Sequence, residues 1–163
     1  MPLLHKLSSV LRQIYKIIAE IDLIKAFKAC EINEDTQESD YCKFFAIETL
    51  FHKYDPKTVK KILEDSNACK IANFFSNYYQ ASCKDLSFII NASVLAQEGK
   101  EQEAIDYCDQ HVSNETLYDR NICYNEIALI IGEYDLDTAK LICNKIPEGS
   151  INYAREQCRD RIK

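Results

Sequence analysis

Residues 104–123 read AIDYCDQHVSNETLYDRNIC, and residues 139–158 read AKLICNKIPEGSINYAREQC. The two stretches share alanine, cysteine, tyrosine, arginine and cysteine in one register. Ala104 and Ala139 each stand four residues, one helical turn, before a cysteine. Tyr118, Arg120 and Cys123 are matched by Tyr153, Arg155 and Cys158. An earlier, looser copy surrounds Ala26, Cys30 and Cys42, and a weaker one surrounds Cys69 and Cys83, with Asp65 at the alanine position. Self-similarity at a fixed period marks a repeat architecture.

The eight cysteines measure that period. Within successive pairs the separations are 12, 14, 15 and 15 residues. First members recur after 39, 39 and 35 residues and second members after 41, 40 and 35, which is the length of a two-helix unit. The first cysteine of each pair falls near the end of one helical pattern and the second in the early turns of the next. In an antiparallel hairpin those positions lie side by side near the loop, where a sulfur bridge is geometrically reasonable. Eight cysteines permit on the order of a hundred connectivities. The repeat singles out Cys30–Cys42, Cys69–Cys83, Cys108–Cys123 and Cys143–Cys158. Eight buried thiols acting as small hydrophobes are the competing reading. Metal binding fits poorly, because there is no Cys-x-x-Cys and His5, His52 and His111 have no partner at ligand spacing.

Apolar periodicity and turn chemistry predict an all-α chain. Only three glycines and three prolines occur in 163 residues, too few for a fold built on tight turns. Helical stretches are expected at 40–53, 57–67, 69–81, 83–98, 100–111, 117–132, 136–145 and 150–162. Asp55 with Pro56 and Asp135 or Asp137 are the predicted N-terminal caps. Gly99 and Gly132 follow apolar runs as left-handed C-terminal stops, and Pro147 ends the helix before it.

At the start, Leu3, Leu7, Val10, Ile14, Ile17, Ile21 and Ile24 repeat at alternating spacings of four and three. This predicts an amphipathic, heptad-patterned helix over residues 1–28, packing on a repeat domain at 29–163 or associating with a second copy. That segment holds five lysines and arginines against two acids, so the net charge of −6 is concentrated after Lys28. A nucleic-acid surface is therefore not expected, and contact with a membrane surface is the least favoured role of the first helix. No apolar run is long enough to span a bilayer. The opening residues lack the uninterrupted apolar core and small-residue cleavage site of a signal peptide.

Helical hairpins of this length, with a small residue near a helix end, resemble tetratricopeptide-like repeats. The cysteine pair on each hairpin is similar to the secreted, cysteine-rich bacterial relatives of those repeats, and also to cysteine-paired helical repeats of archaeal proteins, a rhythm that LICNKIPEGSINYAREQC with NICYNEIALIIGEYDLDTAKLIC carries from one unit to the next. It extends over about residues 26–162. It implies protein or peptide binding, with no catalytic residues to carry over.

No phosphate loop, dinucleotide fingerprint or His-Glu-x-x-His is present. The acids Glu31, Glu34, Asp35, Glu38 and Asp40, and Glu133, Asp135 and Asp137, lack the spacing of a calcium loop and are expected to be solvated or capping charges. Most tyrosines are assigned to packing. Tyr118, Arg120, Tyr153 and Arg155 are the candidate binding residues, expected to line a groove in which the guanidinium groups form a ladder suited to a carboxylate-bearing peptide, with the N-terminal helix as a second contact surface. Asn91 and Asn114 begin glycosylation triplets, the first inside a predicted helix. The functional expectation is a non-enzymatic interaction module or structural subunit without cofactor. It would sit outside the cytoplasm or, in a hyperthermophile, inside it. The alternative is a carrier enclosing a small apolar ligand among the rings around Phe74–Tyr79 and Phe88.

Overall fold

The computed structural model describes residues 22–32, 34–148 and 154–162. Every regular element among them is an α-helix. In chain order these are α1 (Leu23–Cys30), α2 (Thr36–Lys53), α3 (Pro56–Ser66), the single turn α4 (Ala68–Ile71), α5 (Asn77–Gln97), α6 (Glu101–His111), α7 (Arg120–Gly132), α8 (Leu136–Lys145) and α9 (Ala154–Arg161). No described helix is long and apolar enough to cross a membrane.

Aspartate starts most of these helices for one reason. The first N–H groups of a helix have no partner within it, and a short carboxylate one residue upstream accepts them. Asp55 accepts from Lys57 N at 3.1 Å and Thr58 N at 3.2 Å, and Pro56 opens α3 as expected. Asp135 caps α8 through Thr138 N at 3.0 Å. Asp35 and Asp119 do the same for α2 and α7. Asp22 caps α1 with an extended backbone at φ −160° and accepts from Lys25 N at 3.1 Å. α1 therefore starts afresh at Leu23 and does not continue a helix running unbroken through 1–28. Its buried face is Leu23, Ala26, Phe27 and Cys30, while Ile24, the last member of the heptad series, is 38% exposed. The earlier part of that series lies outside the described residues.

The two glycines expected to stop helices do different work. Gly99 takes φ +71°, and Lys100 N donates to Leu95 O across it at 3.0 Å, the six-residue closure of a left-handed C-terminal cap. Gly132 is not left-handed. It is the last residue of α7, and a methyl group there would stand 3.3 Å from Ile162 Cβ and 3.6 Å from Ala139 Cβ. Its role is close approach of helices.

Four cysteine pairs lie at bonding distance, with Cα–Cα separations of 5.7, 5.7, 5.9 and 5.7 Å for Cys30–Cys42, Cys69–Cys83, Cys108–Cys123 and Cys143–Cys158. No described cysteine is free. These are the pairs that the repeat spacing selects, and they point to an oxidising environment. Ala26, Ala104 and Ala139, one turn before a bridged cysteine, are all completely buried.

The chain divides into two compact units, Met1–Cys83 and Lys84–Lys163, with the division inside α5. In the first unit α1 packs on α2, and Phe27, Phe44, Ile47, Leu50 and Val59 form the core. In the second, α7 packs on α8 and α9, and Ile127, Ile131, Ile142 and Ile146 are among its largest fully buried side chains, with Leu86, Ile89 and Ile90 of α5. Each such side chain contributes about 1.5–3 kcal/mol when taken fully out of water.

Residues 69–81 do not form the expected helix. Asn67, at φ 48°, ends α3, and the chain makes only the single turn of α4. It then breaks through Asn73, at φ 46°, before α5 begins at Asn77. Asparagine tolerates the left-handed region better than most side chains. What holds the break open comes from elsewhere in the chain.

Candidate functional site

Asp40, on α2, is 1% exposed. One of its carboxylate oxygens accepts Phe75 N at 3.0 Å and the other accepts Ser76 N at 2.7 Å. Ser76 Oγ in turn accepts Tyr78 N at 3.2 Å and so caps α5. A buried carboxylate without partners is costly, and two backbone N–H groups outside any helix meet the same penalty. Each satisfies the other. The expected solvated acid is thus an internal clamp, and it fixes the turn that carries two neighbouring phenylalanines.

Those two rings go opposite ways. Phe74 turns inward, with its centroid 6.5 Å from Phe44 and 6.2 Å from Tyr79, and Phe44 and Tyr79 are 5.7 Å apart. Burial, together with the neighbouring Tyr41 and Asp40, raises the Tyr79 phenol above its ordinary range. Phe75 turns outward and is 65% exposed; Tyr78 beside it is 46% exposed. Under Phe75 lies Lys43, whose side chain is 1% exposed. Its ammonium is 3.3 Å from Glu31 Oε1 and 5.5 Å from the Phe75 ring centroid. A buried cation needs an anion or a π face, and here it has both. Ile32, next to Glu31, is 82% exposed. Phe75 is thus an exposed ring set over an ion pair, with Ile32 and Tyr78 exposed at positions near Glu31 and Phe75 in the sequence.

The candidate ladder is not such a surface. Tyr118 is 5% exposed, so it packs and does not line a groove. Arg120 donates through an Nη to Val112 O at 3.2 Å, where Val112 is the residue that ends α6. Arg155 donates from Nε to Ile146 O, the residue that ends α8, and from an Nη to Asn144 O at 2.9 Å; its other Nη meets Glu148 at 2.6 Å. The two arginines do the same task in the two copies. They supply donors to the carbonyls that a helix leaves unpaired at its C-terminus, where a positive charge is also favoured. That local engagement replaces the open guanidinium ladder. Tyr153 lies outside the described residues.

A second carboxylate repeats the Asp40 device. Asp85, on α5 and 5% exposed, accepts Ser113 Oγ and Thr116 Oγ1, both at 2.8 Å. It ties down the connection between α6 and α7 from both sides of Asn114 and Glu115. Farther along, the Tyr124 hydroxyl donates to Asp109, and Lys145 Nζ stands 3.4 Å from the same carboxylate and 5.5 Å from the Tyr124 ring centroid. Burial first, and then this hydrogen bond to an anion, push the Tyr124 phenol strongly upward. A phenol held so firmly protonated is a structural donor and a poor base. Among the described residues, no three histidines, cysteines or acids converge as a metal site.

Sequence reasoning missed the Asp40 clamp, and with it the exposed Phe75 ring. The only signal available was an aspartate inside a helical pattern, two residues before a cysteine. No protein-family model, curated protein or solved structure matches the chain.

Proposed function

We propose that the protein is a non-enzymatic binding module built from about four disulfide-stapled helical hairpins of tetratricopeptide-like type. It serves as a structural subunit of an assembly at the cell surface, in the periplasm or outside the cell. The observation that carries the reading is Phe75, 65% exposed, with its backbone N–H and that of Ser76 both held by the buried Asp40 carboxylate. An exposed aromatic ring on a fixed backbone loses little entropy on binding and so makes an efficient anchor. The partner is a protein segment that offers an apolar side chain to Phe75 and Tyr78. The staples support the same role, since each closes a short loop and contributes about 3 kcal/mol in the chain-entropy model. The heptad-patterned N-terminal segment is a second contact, toward a second copy of the chain.

The carrier reading is less favoured. Phe44, Phe74 and Tyr79 are in ring contact with one another, and Phe88 makes its ring contacts with Tyr107 and His111, so these rings already have partners. The test is affinity capture from the native source with two baits in parallel, the wild-type chain and Phe75→Ser/Tyr78→Ser. A protein retained by the first and lost by the second, with the two baits equally folded by circular dichroism, supports the reading. Equal recovery refutes it.

A further inference from the structure

We propose that Asn114 is an N-linked glycosylation acceptor and that Asn91, which begins the chain's other triplet in the described residues, is not. This rests on the reading of an oxidising, secretory-type compartment given above. Both triplets satisfy the sequence requirement, Asn-Ala-Ser at 91–93 and Asn-Glu-Thr at 114–116. The fold separates them.

Asn91 lies within α5 and is half-buried, and its side-chain amide donates to Ser87 O at 3.0 Å. Ala92 is completely buried and Ser93 is 1% exposed. Transfer acts on the extended chain, so the fold selects afterwards: a chain modified at Asn91 cannot return Ala92 and Ser93 to their buried places and does not emerge folded. A sugar on Asn91 would displace packed side chains.

Asn114 is exposed, on the non-helical connection between α6 and α7. Ser113 and Thr116 are both held by Asp85, so the two residues between them are carried outward on a pinned loop. A glycan there meets solvent and costs the core nothing. The Thr116 hydroxyl is engaged by Asp85 in the folded chain, so transfer precedes closure of that clasp, while the segment is still extended.

The chemistry balances without a redox step. The donor is a lipid-pyrophosphate-linked oligosaccharide, and the catalyst is a membrane transferase. Asn114 Nδ2 forms a bond to the anomeric carbon, and the bond from that carbon to the pyrophosphate oxygen breaks. Lipid pyrophosphate leaves with the electron pair, and the amide proton passes to a base of the transferase.

The experiment is secretion of the full chain from a eukaryotic host, followed by peptide mass spectrometry with and without a glycan-releasing amidase. The expected result is a glycan on Asn114, replaced by aspartate after the amidase, and an unmodified Asn91. Asn114→Gln and Thr116→Val each abolish the modification, whereas Thr116→Ser keeps it. A bare Asn114, or sugar on Asn91 in the folded chain, overturns the assignment whatever the thiols show. Non-reducing peptide mapping of the same material tests the compartment reading separately, and free cysteines there count against it.

Discussion

Replacing Asp40 tests the clamp directly. Its carboxylate accepts two backbone N–H groups at 3.0 and 2.7 Å from a site 1% exposed. A hydrogen bond to a charged group contributes about 1.5–3 kcal/mol, and a buried donor left unpaired adds its desolvation cost. Asp40→Ala is therefore expected to cost about 3–5 kcal/mol if the turn stays buried, and less if it swings out to water. Asp40→Asn keeps one acceptor oxygen but sets an NH₂ against the other backbone N–H, for a cost of about 2 kcal/mol. The loss should be local, because the four bridges still hold the helices. Hydrogen exchange resolved to single amides, with the disulfides intact, reads it out. A change of about 2 kcal/mol corresponds to a roughly thirty-fold faster opening at Phe75 and Ser76. Amides of α7 and α8 should keep their wild-type rates. Wild-type exchange at Phe75 and Ser76 in both variants, or an equal acceleration at every amide, would refute the clamp as the cause of the break between α4 and α5.

Three further outcomes follow from the geometry. Gly99→Ala should cost about 1 kcal/mol through its left-handed backbone alone, since nothing lies within 4 Å of the added methyl. Gly132→Val should cost more, about 2 kcal/mol, because its branches meet Ile162 and Ala139, and chemical denaturation of both variants ranks them. Arg155→Ala should destabilise by about 2 kcal/mol, and Arg155→Lys should recover only part, since one ammonium cannot serve two carbonyls and Glu148 together; urea midpoints decide this. The carboxyls of Asp55 and Asp135 are held below their ordinary value, first by the Thr58 and Thr138 hydroxyls and then by backbone N–H groups. A depressed folded pKa contributes stability above the unfolded value of about 3.9, and that contribution disappears as the pH falls through the folded value. Thr58→Val and Thr138→Val should flatten the acid limb of melting temperature against pH; an unchanged limb would remove the caps as its source.

The cysteine pairs, the all-α class and the caps at Asp55 and Asp135 were legible because they rest on short-range relations. A period of 35–41 residues, or a carboxylate just ahead of a helix, is written in consecutive residues. The candidate site was not. Asp40 and Phe75 are 35 residues apart, and Asp85 and Thr116 are 31 apart. No local pattern says which of the five acids from Glu31 to Asp40 will be shut away from water and forced to find donors. The same holds for Arg120 and Arg155, whose matching positions signalled a shared role but not its nature. The ladder seen in one dimension became two helix-end clasps once the preceding carbonyls stood within reach. Gly132 reads identically to Gly99 as a helix stop, yet only the arrival of Ile162 and Ala139 makes its missing side chain necessary. Periodicity and capping act through the backbone's own geometry and are settled residue by residue. A buried charge or a close approach acquires its meaning from whichever distant group packing brings to it.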